Sequence, residues 1–342
     1  EAYLEAYGRE PDKSGLRTYC IAIAKRKWSK ADVIADLIKN GDSLACINDN
    51  SNCGHVIDGS IAGARVTQIQ NGEIVFIGFT TPQGNFSLAN ADLSEDAAPF
   101  VATGGTDIAT GLPNNLTLKS NGAVISPATT VSVSIQEADS SLTVDEANKL
   151  AADYLGITTE QLTSDYVNDL ENDDVDAVAS ALAVQRASVQ VATIIETASV
   201  LSDESNNEAD LFSGLGDLIA NSTSNNERVT DANATKDIVN NTDTATIDST
   251  TLSNISTIIA DVFNDSTVTS SSQVNQVQVE VISQAENDDF VNTISSSVLD
   301  EDDAQTVATN IVKESDDVEL PGSEIRPVIV MNGNNPVTHE GA

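Results

Sequence analysis

The side chains with the most capacity for chemistry are few and widely spaced. His55, beside Gly54, and His339, close to the chain end, offer little for imidazole catalysis or zinc ligation. The three cysteines are Cys20, Cys46 and Cys53. Cys46-x6-Cys53-x-His55 lacks the second clean pair that a zinc site needs. In an extracellular protein the odd count of three leaves room for one disulfide, and the spacing favours Cys46 with Cys53 closing a small loop; the alternative pairs Cys20 with one of them. Gly104-Gly105-Thr106 has no Gly-Lys-Ser or Gly-Lys-Thr and no basic residue near it, so it reads as a turn rather than a phosphate cradle. No Gly-x-Ser-x-Gly elbow occurs, and among 53 acids no carboxylate pair for glycoside hydrolysis stands out without a cleft to place it. The expectation is that the chain is not an enzyme and carries no catalytic residue.

Acidic clusters leave hard-cation chemistry open, and calcium is the one cofactor the sequence suggests. Asp49-Asn50-Ser51-Asn52-Cys53-Gly54 has the glycine of an EF-hand loop but Cys at its fifth position and Ser60 at its twelfth, so that loop fails. Asp169, Glu171, Asp173, Asp174 and Asp176 have oxygens that a hard cation would take at ~2.3 to 2.6 Å, as do Asp300, Glu301, Asp302 and Asp303. The simpler reading of both groups is helix capping and favourable charge at a helix N-terminus. No residue is assigned to a metal.

The elements that must position these residues follow from composition. The chain has 342 residues and a formal net charge of -37, which repels phosphate backbones and anionic lipid heads. Nucleic acid and membrane insertion are therefore not expected. Hydrophobic residues make up 40% and aromatics only 4%, so real cores are expected, built from Val, Ile, Leu and Ala. Residues 1 to 40 hold 8 of the 16 basic residues against 6 acidic ones, a separate unit; the remaining 302 carry 8 basic and 47 acidic, about -39. The start inside a helix pattern and the lack of a leader suggest a piece of something longer. Val175 to Leu201 is the most apolar stretch, but Gln185, Arg186, Gln190 and Glu196 argue against a bilayer span.

The fold class expected is α+β, in several domains. In residues 1–45, helices run from Ser14 and from the Ser29 cap to Gly41. Residues 54–127, punctuated by Gly and Pro, predict an antiparallel β-sandwich with strands at Ala64 to Ile69, Glu73 to Phe79 and Asn85 to Leu88. Asn71-Gly72 predicts a type I′ hairpin turn and Pro82-Gln83-Gly84-Asn85 a second turn. Between Pro127 and Pro321 only Gly156, Gly214 and Gly216 interrupt, so residues 128–315 predict a mainly helical bundle with polar loops. A capping box at Thr143 to Glu146 opens one helix, and Leu252, Ile255, Ile258, Ile259, Val262 and Phe263 stripe another. Val274 to Val281 fits either period, with the lack of turn residues favouring a helix. Residues 316–342 predict a linker, then an apolar strand at Val328 to Met331 and a polar turn.

Three strings carry resemblances. YLEAYGREPDKSGLRTY with WSKADVIADLI resembles a short helical domain of unknown function found in secreted bacterial surface and repeat-in-toxin proteins, through Tyr7, Gly8, Arg9, Pro11, Asp12, Gly15, Leu16 and Tyr19. IDGSIAGARVTQI, TTPQGNFSL, FVATGGTDIATG and VISPATT are similar to the carboxypeptidase regulatory-like, prealbumin-type β-sandwich of large adhesin-like proteins. Relatives there often carry an acidic calcium insertion, where this chain has only Gln70-Asn71-Gly72-Glu73, so no calcium site is carried over. The tail looks like the opening of a bacterial immunoglobulin-like repeat.

Together the resemblances imply a modular, extracellular or cell-surface bacterial protein, with this chain as a non-catalytic spacer or adhesion segment. Its expected partners are other domains of the parent chain and cell-surface or matrix components. The alternative is an accessory, carbohydrate-binding region of a large secreted hydrolase. Exposed aromatic platforms would separate the two, and only Phe76, Phe79, Phe86 and Phe100 are available in the sandwich.

Overall fold

The computed structural model describes residues 53–94, 96–170, 174–201, 208–221, 249–321, 329–332 and 335–338, with Ser29, Val229 and Ile247. The helices expected before residue 45 lie outside these, as does His339. The protein is α+β. Strands β1 (Cys53–Val56), β2 (Ile61–Ala62), β3 (Arg65–Gln70), β4 (Glu73–Phe79), β5 (Asn85–Ser87), β6 (Phe100–Thr103), β7 (Thr106–Asp107), β8 (Thr117–Ser120) and β9 (Val124–Ile125) come first. They form sheets ordered β4-β3-β6-β8, β5-β1-β9 and β2-β7. The β3–β4 hairpin turns at Asn71 and Gly72, both with positive φ (53° and 81°), the backbone a type I′ turn demands.

One pairing departs from the antiparallel expectation: β1 and β9 run parallel, with His55 opposite Val124 and Val56 opposite Ile125. Parallel strands need a crossover, and here everything from β2 to β8 serves as one before the chain passes from β9 into a helix.

Ten helices are described after β9: α1 (Pro127–Ala138), α2 (Val144–Leu155), α3 (Thr159–Leu162), α4 (Tyr166–Leu170), α5 (Val175–Leu201), α6 (Glu208–Asn221), α7 (Ser249–Asn264), α8 (Ser271–Ala285), α9 (Asp288–Ser296) and α10 (Glu301–Ser315). A final hairpin pairs β10 (Ile329–Asn332) with β11 (Asn335–Thr338). Thr143 caps α2 in the predicted box with Glu146, and Gly156 ends that helix in the left-handed region. The valines at 274, 277 and 281 are buried along one side of α8, which settles the ambiguous period in favour of a helix.

Pro127 does not interrupt the core. One hydrophobic cluster runs from Val56, Val66, Phe86, Phe100 and Leu118 in the sheets, through Val131 and Ile135 of α1, to Ile195, Ile258, Val277 and Ile311. Hydroxyls stitch the seam where β8 meets α1: the Lys119 amide donates to Thr130 Oγ1 at 2.8 Å, and Thr129 Oγ1 donates to the Lys119 carbonyl at 2.9 Å. Against the other side of α1 lies α6, whose Gly216 allows two backbones to approach. A Cβ there would stand 2.4 Å from the Ser134 carbonyl carbon.

The centre of the bundle is α5, apolar on nearly all sides because α1, α3, α4, α6, α7 and α8 surround it. Among the described residues it is the helix long and apolar enough to cross a bilayer, and 67% of its most apolar window is buried within the fold. Two of its polar residues reach neighbouring segments. Gln185 donates to Asn275 Oδ1 at 2.9 Å, and the Arg186 guanidinium caps the carbonyls of Phe263 and Val268.

Candidate functional site

The residues with chemical potential gather where the strand layer meets α4 and α8. In β1, His55 is 5% exposed, and its Nδ1 lies 2.7 Å from Asp165 Oδ2, a residue just ahead of α4. Its Nε2 lies 2.7 Å from the Gln83 carbonyl, with Ser60 Oγ at 3.3 Å. The Pro82–Asn85 turn makes this approach feasible, since Gly84 at positive φ brings its Cα against the imidazole edge.

Ser60, His55 and Asp165 thus stand in the order of a nucleophile, a base and an orienting acid. A relay needs Nε2 to accept the serine proton, and Nε2 is already engaged with a closer main-chain acceptor that has no proton to give. His55 is tied to Asp165 across 110 residues of sequence.

Three residues further on, in the β1–β2 turn, the Asp58 carboxyl is 4% exposed, and Asp107 of β7 is 5% exposed. The β2–β7 pairing sets Ile61 opposite Asp107 and so brings the two acids to one place. Asp107 is held by its own loop: Oδ1 accepts from the Ala109 amide at 2.9 Å and Oδ2 from Thr110 Oγ1 at 2.6 Å. Its Oδ1 also occupies the space where a side chain on residue 59 would sit, 2.1 Å from a Cβ, which accounts for Gly59.

Asp58 Oδ2 accepts from Gln278 Nε2 of α8 at 3.2 Å, while Asp58 Oδ1 and Gln278 Oε1 are buried without hydrogen-bond partners among the described residues. Burial, and then the charge of Asp107, pushes the Asp58 carboxyl up to about 8, against a downward pull from the Gln278 amide. Asp107 is raised by burial too, opposed by the donors of Thr110 and Ala109. Tyr166 is raised by burial and by Asp58.

The other residues singled out by sequence serve as local structure. Asp174 Oδ1 accepts from the Asp176 amide at 2.9 Å at the start of α5, and Asp300 Oδ1 from the Asp303 amide at 2.9 Å at the start of α10. Both follow the capping reading; Glu171 and Asp173 lie outside the described residues. Gly104 and Gly105 form a turn with positive φ. Cys53 is in a disulfide, whose partner must be Cys20 or Cys46, both outside the described residues. Among the described residues, no three His, Cys, Asp or Glu side chains gather as a metal cluster.

The aromatics divide cleanly. Phe86 and Phe100 are buried edge to face, centroids 5.7 Å apart. Phe76 is 45% exposed, with Phe79 against its edge and the Arg65 guanidinium over its ring at 5.6 Å. Sequence reasoning missed the Asp58–Asp107 pair because only a two-residue strand pairing creates it. No family model, curated protein or solved structure matches the chain.

Proposed function

We propose that the chain is a non-catalytic spacer or scaffold segment of a secreted or surface-anchored bacterial protein. The observation that carries this reading is the main hydrophobic core, which runs through both strand layer and helices, reinforced by the ties of His55 to Asp165 and of Asp58 to Gln278. Such a block keeps Cys53, where the strand layer begins, and Ser315, where the last helix ends, at a fixed separation. The Cys53 disulfide supports an oxidising, extracellular setting. Residues 54–127 then correspond to the prealbumin-type sandwich and the β10–β11 hairpin to the opening of an immunoglobulin-like repeat, with neighbouring domains of the parent chain as partners. High negative charge keeps the segment dispersed where salt screens over about 8 to 10 Å. The carbohydrate-binding alternative gains little, since the exposed aromatic among the described large apolar side chains is Phe76, and Arg65 covers its face.

Stretching single molecules of the full chain between its ends tests the proposal. A spacer gives one dominant unfolding event for the strand layer and helices together, and an antibody to the chain labels intact, unpermeabilised cells. Stepwise unravelling at low force, or labelling only after permeabilisation, contradicts it.

A further inference from the structure

Two carboxyls buried side by side need an opposing positive charge or a proton. Among the described residues no cationic side chain contributes: burial and Asp107 act on Asp58 against Gln278, and burial acts on Asp107 against Thr110 and Ala109. The nearby imidazole of His55 is engaged with Asp165 and the Gln83 carbonyl. Two acceptor oxygens at this place, Asp58 Oδ1 and Gln278 Oε1, have nothing to accept from, although Asp58 is 4% and Gln278 only 2% exposed. A water molecule would supply hydrogen bonds and leave both charges in place. A proton would offset one charge and serve one oxygen.

A hard cation answers every term at once. Carboxylate and amide oxygens are the donors that calcium-like ions prefer. Three donors act on the Asp107 carboxylate, the Thr110 hydroxyl and the Ala109 and Thr110 amides, which leaves one of its four lone pairs to share.

We propose that Asp58, Asp107 and Gln278 bind a hard divalent cation of the calcium type, with Tyr166 beside the site. The ligands come from the β1–β2 turn, β7 and α8, so binding clamps the strand layer to the helices across 220 residues of sequence. The inference goes beyond the spacer reading and holds whatever the chain does.

The test uses the full chain, treated with EDTA and returned to buffer, in a melting titration with calcium chloride and, separately, magnesium chloride. The expected result is a saturable rise in Tm that follows one-site linkage, tenfold more ion above the Kd adding about 1.4 kcal/mol. Asp58→Asn, which supplies a neutral side chain of the same shape, folds and loses the ion-dependent rise; Asp300→Asn keeps it. As a second readout, bound terbium shows emission sensitised through Tyr166, which Tyr166→Phe abolishes without removing the calcium-dependent rise in Tm. The proposal is overturned if Asp58→Asn and the unaltered chain respond equally to calcium, which is diffuse screening by surface acids, or if neither responds.

Discussion

Phe86→Ala is the perturbation that best separates one shared core from two modules that merely touch. Phe86 lies in β5 with no exposed surface; its ring rests on Gly54, whose Cβ would stand 2.2 Å away, and meets Phe100 edge-on. Removing a buried phenylalanine ring costs about 3 to 5 kcal/mol, part of which is the aromatic pair itself at about 0.5 to 1.5 kcal/mol. Domains are stable by only about 5 to 15 kcal/mol, so the loss is a large share of the total. For a unit of this size it lowers Tm by on the order of 10 °C.

The informative assay is far-UV circular dichroism, which reports chiefly on helices although the substitution is in a strand. If the core is continuous, the helical signal melts at the lowered temperature in one transition. Phe76→Ala, at a half-exposed position of the β3–β4 hairpin, costs under about 1 kcal/mol. A helical midpoint that stays at its original temperature in Phe86→Ala, while near-UV signals from the strand layer disappear, refutes the argument.

Other outcomes follow from the same packing. Gly216→Val drives a side chain into the α1 backbone at Ser134 and destabilises by about 1 to 3 kcal/mol or more, read by urea denaturation. A double-mutant cycle with His55→Ala and Asp165→Ala gives a coupling of about 0.5 to 3 kcal/mol; additive losses would deny the tie. Thr143→Ala removes the α2 cap at a cost of about 1 kcal/mol. In protein stripped of divalent ions, the folded state holds a proton on Asp58 that the unfolded chain releases near 3.8, so stability is full below that pH and falls as pH rises through about 8. Linkage limits the loss to at most ~6 kcal/mol, and Asp58→Asn should remove this component of the pH profile.

Local signals carried much of the fold. Asn71-Gly72 announced its hairpin because few residues tolerate two successive positive φ angles, and Thr143 with Glu146 announced a helix start because their side chains answer each other's backbone. The stripe from Leu252 to Phe263 became α7 because its period left a single buried face. What stayed hidden depends on distant partners. Nothing near His55 points to Asp165, and nothing near Asp58 points to Gln278. The parallel β1–β9 pairing escaped notice because β9 is two residues long and the chain between makes no ordinary helical crossover. Capping and metal ligation draw on the same acids, so Asp174 and Asp300 were ambiguous until their oxygens were seen to accept helix amides.

Native-state hydrogen exchange on the full chain reaches the question of rigidity most directly. The slowest amides of β6 around Ala102, of α5 around Val189 and of α8 around Val277 should open with one common free energy, equal to that of global unfolding. Strand-layer amides that exchange through an opening several kcal/mol cheaper than those of α5 would mean two bodies hinged at Pro127, and a spacer of fixed length could not be built from them.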